Sequence, residues 1–321
     1  MLNIKELYAV VEDEIGSLQL SKSPKNLYDP ISYIMNIGGK RMRAILLLLS
    51  NQIFSKDLTL ALKPAIGIEV FHNFTLIHDD IMDNAPLRRG MQTIHEKWDN
   101  NTAILSGDTM MIQAYQLILK TPDKYLREVL SLFSDTAVSV CEGQQFDMDF
   151  EITNNVTLQD YISMIEKKTA ILLATSLKIG AIIGGASHVD ANNLYEFGRN
   201  IGIAFQIKDD LLDAYGDPEK FGKKIGGDID SNKKTFLFLK VLESCSEIDR
   251  EKILKLFETN ENTALKKKHV MDLYDKYDAY EVSNTQILYY HDLAIKHLNN
   301  IIGENKEPLY EFANQLLKRE V

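Results

Sequence analysis

Two aspartate clusters hold the chemistry available to this chain: Asp79-Asp80-Ile-Met-Asp83 and Asp209-Asp210-Leu-Leu-Asp213. In the first, Asp79 and Asp83 lie four residues apart, so on a helix they project from one face about a turn from each other. Ile66, Val70, Phe74 and Ile77 recur at three- and four-residue spacing and predict that helix. Pro64 falls near its start, where a missing donor costs little. Like charges at this spacing repel, and the C-terminal end of a helix disfavours anions. Such a cluster is either a solvated acidic helix end or a cation site. Carboxylates that leave room for water or phosphate suit Mg²⁺. The second cluster repeats the geometry, with Gln206, Asp209, Asp210 and Asp213 at helical spacings. Two such units in one chain favour the metal.

Cations trail both clusters. Arg88-Arg89-Gly90 follows the first, and Gly222-Lys223 through Lys233-Lys234 follows the second. The arginine pair can bond the nearby acids or grip a phosphate bidentately. Upstream, Gly38-Gly39-Lys40-Arg41-Met42-Arg43 leads into the apolar run Ile45–Leu49. This reads as a basic helix N-terminus. A helix dipole prefers acids there, so the three cations point to an anionic ligand, the alternative being a basic surface cluster. Glu166-Lys167-Lys168-Thr169 runs into the apolar stretch 170–181, where snorkelling lysines are the simpler reading over lysines facing a cleft. Gln144 and Asp147 share a helix face. Carboxylates on facing helices, with Mg²⁺ between them and cations around, would clamp a diphosphate and let a carbon–oxygen bond ionise. The carbocation then needs a dry apolar pocket. Phe71 and Phe74, on the helix before Asp79, are candidate walls, although aromatics at helical spacing are more often plain core.

The elements that must position these groups are helices. Seven prolines and 17 glycines in 321 residues are few, and Leu, Ile, Ala, Lys and Glu abound. Helical patterns cover 2–20, 31–37, 101–119, 125–150, a stretch from 158, 247–257, 267–280 and 287–302, with no convincing strand alternation. Lys266-Lys267-Lys268 reads as a solvated face. At 45% apolar the chain can bury a sizeable core, and no linker divides it, so one domain over 1–321 is expected. A net charge of −10 argues against nucleic-acid binding. Two cysteines outside any metal spacing fit a reducing interior. The N-terminal stretch lacks an apolar signal core, and Ala170–Ala186, interrupted by Lys178 and glycines, is too weak for a membrane span. A cytoplasmic protein without a membrane span is expected.

The ordered motifs, over roughly residues 30 to 240, resemble the trans-isoprenyl diphosphate synthases, or polyprenyl synthetase family. Gly38 to Arg43 resembles the family's isopentenyl diphosphate motif. Asp79–Asp83 with Arg88-Arg89 resembles its first aspartate-rich motif, Lys168-Thr169 its Lys-Thr pair, Gln206–Asp213 its second aspartate-rich motif, and Gly222-Lys223 with Lys233 the basic loop after it. The resemblance implies an all-α bundle of the isoprenoid synthase type with a central cavity, a homodimer, and a prenyltransferase that condenses isopentenyl diphosphate with an allylic diphosphate. It implies several Mg²⁺ ions held by Asp79, Asp83 and Asp209, with Asp80, Asp210 and Asp213 as closer support. Lys40, Arg43, His72 and Arg89 would bind isopentenyl diphosphate; Arg88, Lys168, Lys223 and Lys233 would bind the allylic diphosphate. Lys168, Thr169 and Gln206 would face the cation, and Phe71 and Phe74 would set product length, C20 ahead of C15. Ala44 and Gln92 stand where the family usually has proline, away from charged contacts. Rival readings are poorer. A terpene cyclase would lack the Gly-Gly-Lys-Arg motif and the second Asp-Asp-x-x-Asp. A di-iron protein would need a second Glu-x-x-His besides Glu69–His72, and a non-catalytic or heteromeric subunit of a longer-chain synthase would be expected to lose an aspartate motif.

Overall fold

A computed structural model describes residues 2–18, 22–153, 155–217, 226–258 and 264–318. They are helical almost throughout, which bears out the all-α expectation, and they divide into two compact units. The first takes Met1–Asp135, Thr175–Tyr195 and Ile301–Leu309; the second takes Thr136–Ala174, Glu196–Asn300 and Tyr310–Val321. No helix among the described residues is long and apolar enough to cross a membrane.

In the first unit, α1 (Ile4–Ser17) starts at a capping box in which Asn3 and Glu6 exchange bonds. Next come α2 (Lys25–Asn36), α3 (Met42–Phe54) and α4 (Thr59–Met82). The α2 helix starts earlier than its pattern indicates, because Pro30, Ile31, Ile34 and Met35 bury a face that carries the helix through the proline. The aspartate helix, α4, buries Ile66, Val70, Phe71, Phe74 and Ile77 on the predicted stripe. It lies against α6 (Asn100–Ile118), where a Cβ on Gly67 would meet the Ala114 carbonyl at 3.1 Å and one on Gly107 would meet His78 Nε2 at 2.3 Å. Between α4 and the short α5 (Ile94–Lys97), Leu87–Arg88 and Met91–Gln92 pair as β1 and β2, a hairpin too short to register as alternation. Its turn is Arg89-Gly90, both with positive φ (53° and 76°), as two-residue hairpin turns require.

The chain continues through α7 (Asp123–Ile152) and α8 (Leu158–Ile165). Residues Glu166–Ala170 then widen into a π-turn before α9 (Ile171–Gly184). Next come α10 (His188–Tyr215), the short α11 (Gly227–Asp230), α12 (Phe236–Ser244), α13 (Glu247–Glu258), α14 (Ala264–Lys276), α15 (Ala279–Asn299) and α16 (Glu307–Leu317). Three expectations for this half are corrected. The helix predicted over 267–280 ends at Lys276; Asp278, left-handed at φ 51°, caps α15, which starts directly after it. Its buried stripe opens with Ala279 and Ser283, too small and polar to show as apolar periodicity. Lys266 is buried rather than solvated, with Nζ 2.5 Å from Asn232 Oδ1, while Lys267 pairs with Asp230 at 2.7 Å.

Candidate active site

The first unit gathers the cationic motif around two glycines. Gly38 and Gly39 have positive φ, and a Cβ on Gly39 would lie 2.6 Å from Arg89 Nη1, so the glycine opens the space that the guanidinium fills. Arg89 also donates to the Gly38 carbonyl. Arg43 and Arg89 both act on His72, and Arg89 acts on Arg43. Burial first, then Arg43 and Arg89, hold His72 well below the usual imidazole range. Burial also lowers Arg43 and Arg89, with neighbouring arginines adding to it. Arg43 Nε is buried without a bonding partner. Lys40 stands exposed beside them. Arg41 separates from the other two cations: it is buried, bonded to Glu12 (2.6 Å) and the Met35 carbonyl (2.5 Å), and faces Glu69 at 3.8 Å. Burial raises Glu69 despite that company. Arg41 is therefore part of the scaffold under the cluster.

At the end of α4 the three aspartates diverge. Asp79 is half-buried and Asp83 exposed, whereas Asp80 is buried and gripped by Arg88 through Nε (2.8 Å to Oδ2) and Nη2 (2.6 Å to Oδ1). Of the alternatives open to the arginine pair, Arg88 bonds the acid and Arg89 turns towards Gly38. Below them an aromatic row descends through the unit. Phe74 meets His78 edge-on at 4.8 Å between ring centroids, Phe71 lies 5.4 Å from Phe74, and Phe133 of α7 lies 5.2 Å from Phe71. Tyr115 closes the row 4.9 Å from Phe133. Neither Phe133 nor Tyr115 carried a sequence signal, because each lies on a different helix from the aspartates.

The second unit builds its cluster around the π-turn. A Cβ on Gly143 would sit 2.3 Å from the Lys168 nitrogen and one on Gly202 would sit 2.5 Å from the Ala170 Cα, so two glycines let α7 and α10 close on the turn. All four side chains from 166 to 169 find partners there. Glu166 takes Arg199 at 2.8 Å and Lys167 pairs with Glu142. Lys168 Nζ reaches Asp147 at 2.5 Å, and Thr169 Oγ1 donates to Gln206 Oε1 at 3.2 Å. Lys168 is thus fixed beside a cleft rather than snorkelling. The cleft is a cavity of about 110 Å³ lined by Asp147, Lys168, Thr169, Gln206, Asp210 and Lys233, among others. Lys234, next to Lys233, instead caps the end of α7, donating to the Phe150 (2.5 Å) and Glu151 (3.2 Å) carbonyls.

Asp210 is buried and accepts from Tyr161 Oη (2.5 Å), the Phe236 N–H (3.1 Å) and Gln206 Nε2 (3.3 Å). Burial and Asp228 push its carboxyl up to about 7 against the pull of those donors. Asp213 accepts from the Asp228 N–H at 3.0 Å. Asp80, Asp210 and Asp213 each have a protein partner. Lys223 lies outside the described residues. Among the described residues no three His, Cys, Asp or Glu side chains converge as a closed metal cage. Tyr161 and Asp147 escaped assignment from sequence. Tyr161 precedes Lys168 by two helical turns, but only the Asp210 contact gives it a place in the site.

Comparison with known proteins places this arrangement. Residues 24–274 match the family model described as polyprenyl synthetase. The chain is 36% identical to the short chain isoprenyl diphosphate synthase of Methanothermobacter thermautotrophicus over 100% of its length and 99% of the relative's. It is 40% identical to the geranylgeranyl diphosphate synthase of Methanosarcina mazei, over 77% of this chain and 76% of that one. A crystal structure of a geranylgeranyl pyrophosphate synthase superposes with a TM-score of 0.94 at 40% identity, covering 100% of both chains.

Proposed function

Since this chain belongs to the polyprenyl synthetase family and is thereby a short-chain trans-prenyl diphosphate synthase, we propose that it condenses isopentenyl diphosphate with dimethylallyl, geranyl or farnesyl diphosphate, giving geranylgeranyl diphosphate (C20) in preference to farnesyl diphosphate (C15). The observation that carries the reading of the site is that Arg43 and Arg89 both bear on His72, with Arg89 seated on Gly38-Gly39 and Arg43 Nε buried without a partner. Cations that depress one another's proton affinity are an anion site in waiting.

In this reading the diphosphate of isopentenyl diphosphate is held by Arg43, Arg89 and exposed Lys40, with neutral His72 offering a ring N–H. Arg88, Lys168, Lys223 and Lys233 hold the allylic diphosphate. Asp147 and Asp80 fix Lys168 and Arg88 for that task. Asp79, Asp83 and Asp209 are the Mg²⁺ ligands, with Asp80, Asp210 and Asp213 supporting them. Mg²⁺, when bound, stabilises the leaving diphosphate. Thr169 and Gln206 present oxygen dipoles to the developing allylic cation, while the apolar walls keep water from it. The new bond joins the allylic carbon to isopentenyl diphosphate, and the proton lost leaves on released diphosphate. Phe74, backed by Phe71, ends the space for the growing tail. The assay is incubation of the purified chain with isopentenyl diphosphate, Mg²⁺ and each allylic primer in turn. A C20 product is expected, and no prenyl product with any primer would defeat the proposal.

A further inference from the structure

We infer that Tyr161 is a positioning residue for this reaction, acting through Asp210 to set which end of the Gln206 amide faces Thr169. The inference rests on the prenyl-transfer reading above and deepens it. The sequence gives Tyr161 no role; its side chain is buried at the wall of the cavity, with its hydroxyl committed to Asp210.

The argument is one of donors and acceptors. A carboxylate oxygen that takes O–H and N–H donors acts as an acceptor, and an amide side chain accepts at one end and donates at the other. Tyr161 Oη donates to Asp210 Oδ2 at 2.5 Å, and the Phe236 N–H, at the start of α12, donates to the same oxygen at 3.1 Å. Two donors on Oδ2 fix the plane of the carboxylate and leave Oδ1 turned to Gln206. Gln206 turns its NH₂ to Oδ1 at 3.3 Å, and its carbonyl oxygen is delivered to Thr169, whose hydroxyl donates to it at 3.2 Å. The chain Tyr161–Asp210–Gln206–Thr169 thus ends with oxygens, not N–H groups, lining the cavity beside Lys168. That polarity suits a carbocation and would oppose one if the amide were reversed. The phenol keeps its proton for this duty, since burial, followed by Asp210 itself, pushes it well above the ordinary tyrosine range. Asp210 retains the backbone bond to α12 if the phenol is lost, so the two donors on Oδ2 have separable consequences. The backbone donor holds the fold, and the phenol holds the orientation.

The test is Tyr161→Phe in the full-length protein, alone and combined with Gln206→Leu, assayed for kcat, KM of both diphosphates and Tm. The expected result is a kcat about tenfold lower, the scale of one lost hydrogen bond felt only in the transition state, with both KM values within about twofold. In the Gln206→Leu background, Tyr161→Phe should cost nothing further, since the group it orients is gone. Wild-type kcat in Tyr161→Phe, or losses that multiply in the double variant, would overturn the inference. If Tyr161→Phe fails to fold, Tyr161→Met, which also lacks the hydroxyl, asks the same question in the same two backgrounds. There the loss should again vanish with Gln206→Leu, and multiplying losses would overturn the inference. A wild-type chain that forms no prenyl product removes the reaction itself, and this inference with it, a result distinct from any behaviour of the variants.

Discussion

His72 sits within the fields of Arg41, Arg43, Arg88 and Arg89, and together with burial they hold its ring neutral. The sign of the consequence is fixed. The unfolded chain takes up a proton near the ordinary histidine value of about 6.5 while the native one does not, so this residue withdraws stability as pH falls below that point. His72 should show no titration between pH 6 and 8 when its ring protons are followed by NMR; a midpoint within that window would mean the arginines do not surround it. Phe74 is a second single-residue decision. It is held on one side by His78 and on the other by Phe71, and Phe71 in turn by Phe133, and the proposed function makes it the end of the space for the tail. Phe74→Ala should lengthen the product by one or more isoprene units on chromatography, and unchanged chain length would remove Phe74 from the role.

The π-turn Glu166–Ala170 is the element on which the second cluster depends. A π-turn inserts an extra residue into a helix and often marks a functional site. Here it sets Lys168 and Thr169 between α7 and α10, and the approach is possible because Gly143 and Gly202 lack side chains. A methyl at Gly143 meets backbone, not a flexible chain end, so the turn itself must move. Gly143→Ala should cost about 1–3 kcal/mol of stability as an overpacked contact. It should also lower kcat roughly 10²-fold, as a misplacement of about 1 Å does. Gly16 in α1 offers the contrast, with nothing within 4 Å of an added Cβ. Gly16→Ala should stabilise by about 0.4–1 kcal/mol through the unfolded chain alone. Thermal melts read beside the prenyl assay separate the two.

For the molecule as a whole, the proposed function assigns metal to turnover, and each unit has its own apolar core. A chelator should therefore abolish prenyl transfer while leaving the far-ultraviolet circular dichroism and Tm of the substrate-free protein nearly unchanged. A chelator-induced melt would show a structural metal instead. Assembly is the other property at this scale. Leu105, Ile112 and Leu119 recur every seven residues along α6 and are exposed, with Ile104 beside them. A seam of that kind asks for cover. A homodimer, which the family resemblance implies, would provide it: sedimentation should then find two copies per particle, and substituting Leu105 and Ile112 by Asp should give monomers.

Local properties of the chain were legible in the residues. The spacing of Ile66, Val70, Phe74 and Ile77 specifies α4, and the four-residue step from Asp79 to Asp83 specifies a shared face, because both follow from helical periodicity alone. The order of the motifs was enough for the family. What the fold decided is which member of each charged group does which job. Nothing along the chain distinguishes Arg41 from Arg43, or Asp79 from Asp80, or a buried Lys266 from an exposed lysine. Those differences come from partners remote in sequence: Glu12 and Glu69 for Arg41, the hairpin's Arg88 for Asp80, Asn232 for Lys266. The π-turn was hidden for the same reason, since its cause is the closeness of Gly143 and Gly202 rather than any feature of Glu166–Ala170. Periodicity is written into a sequence one turn at a time. Burial and pairing arise only when distant turns meet, and there the tertiary structure had the decision.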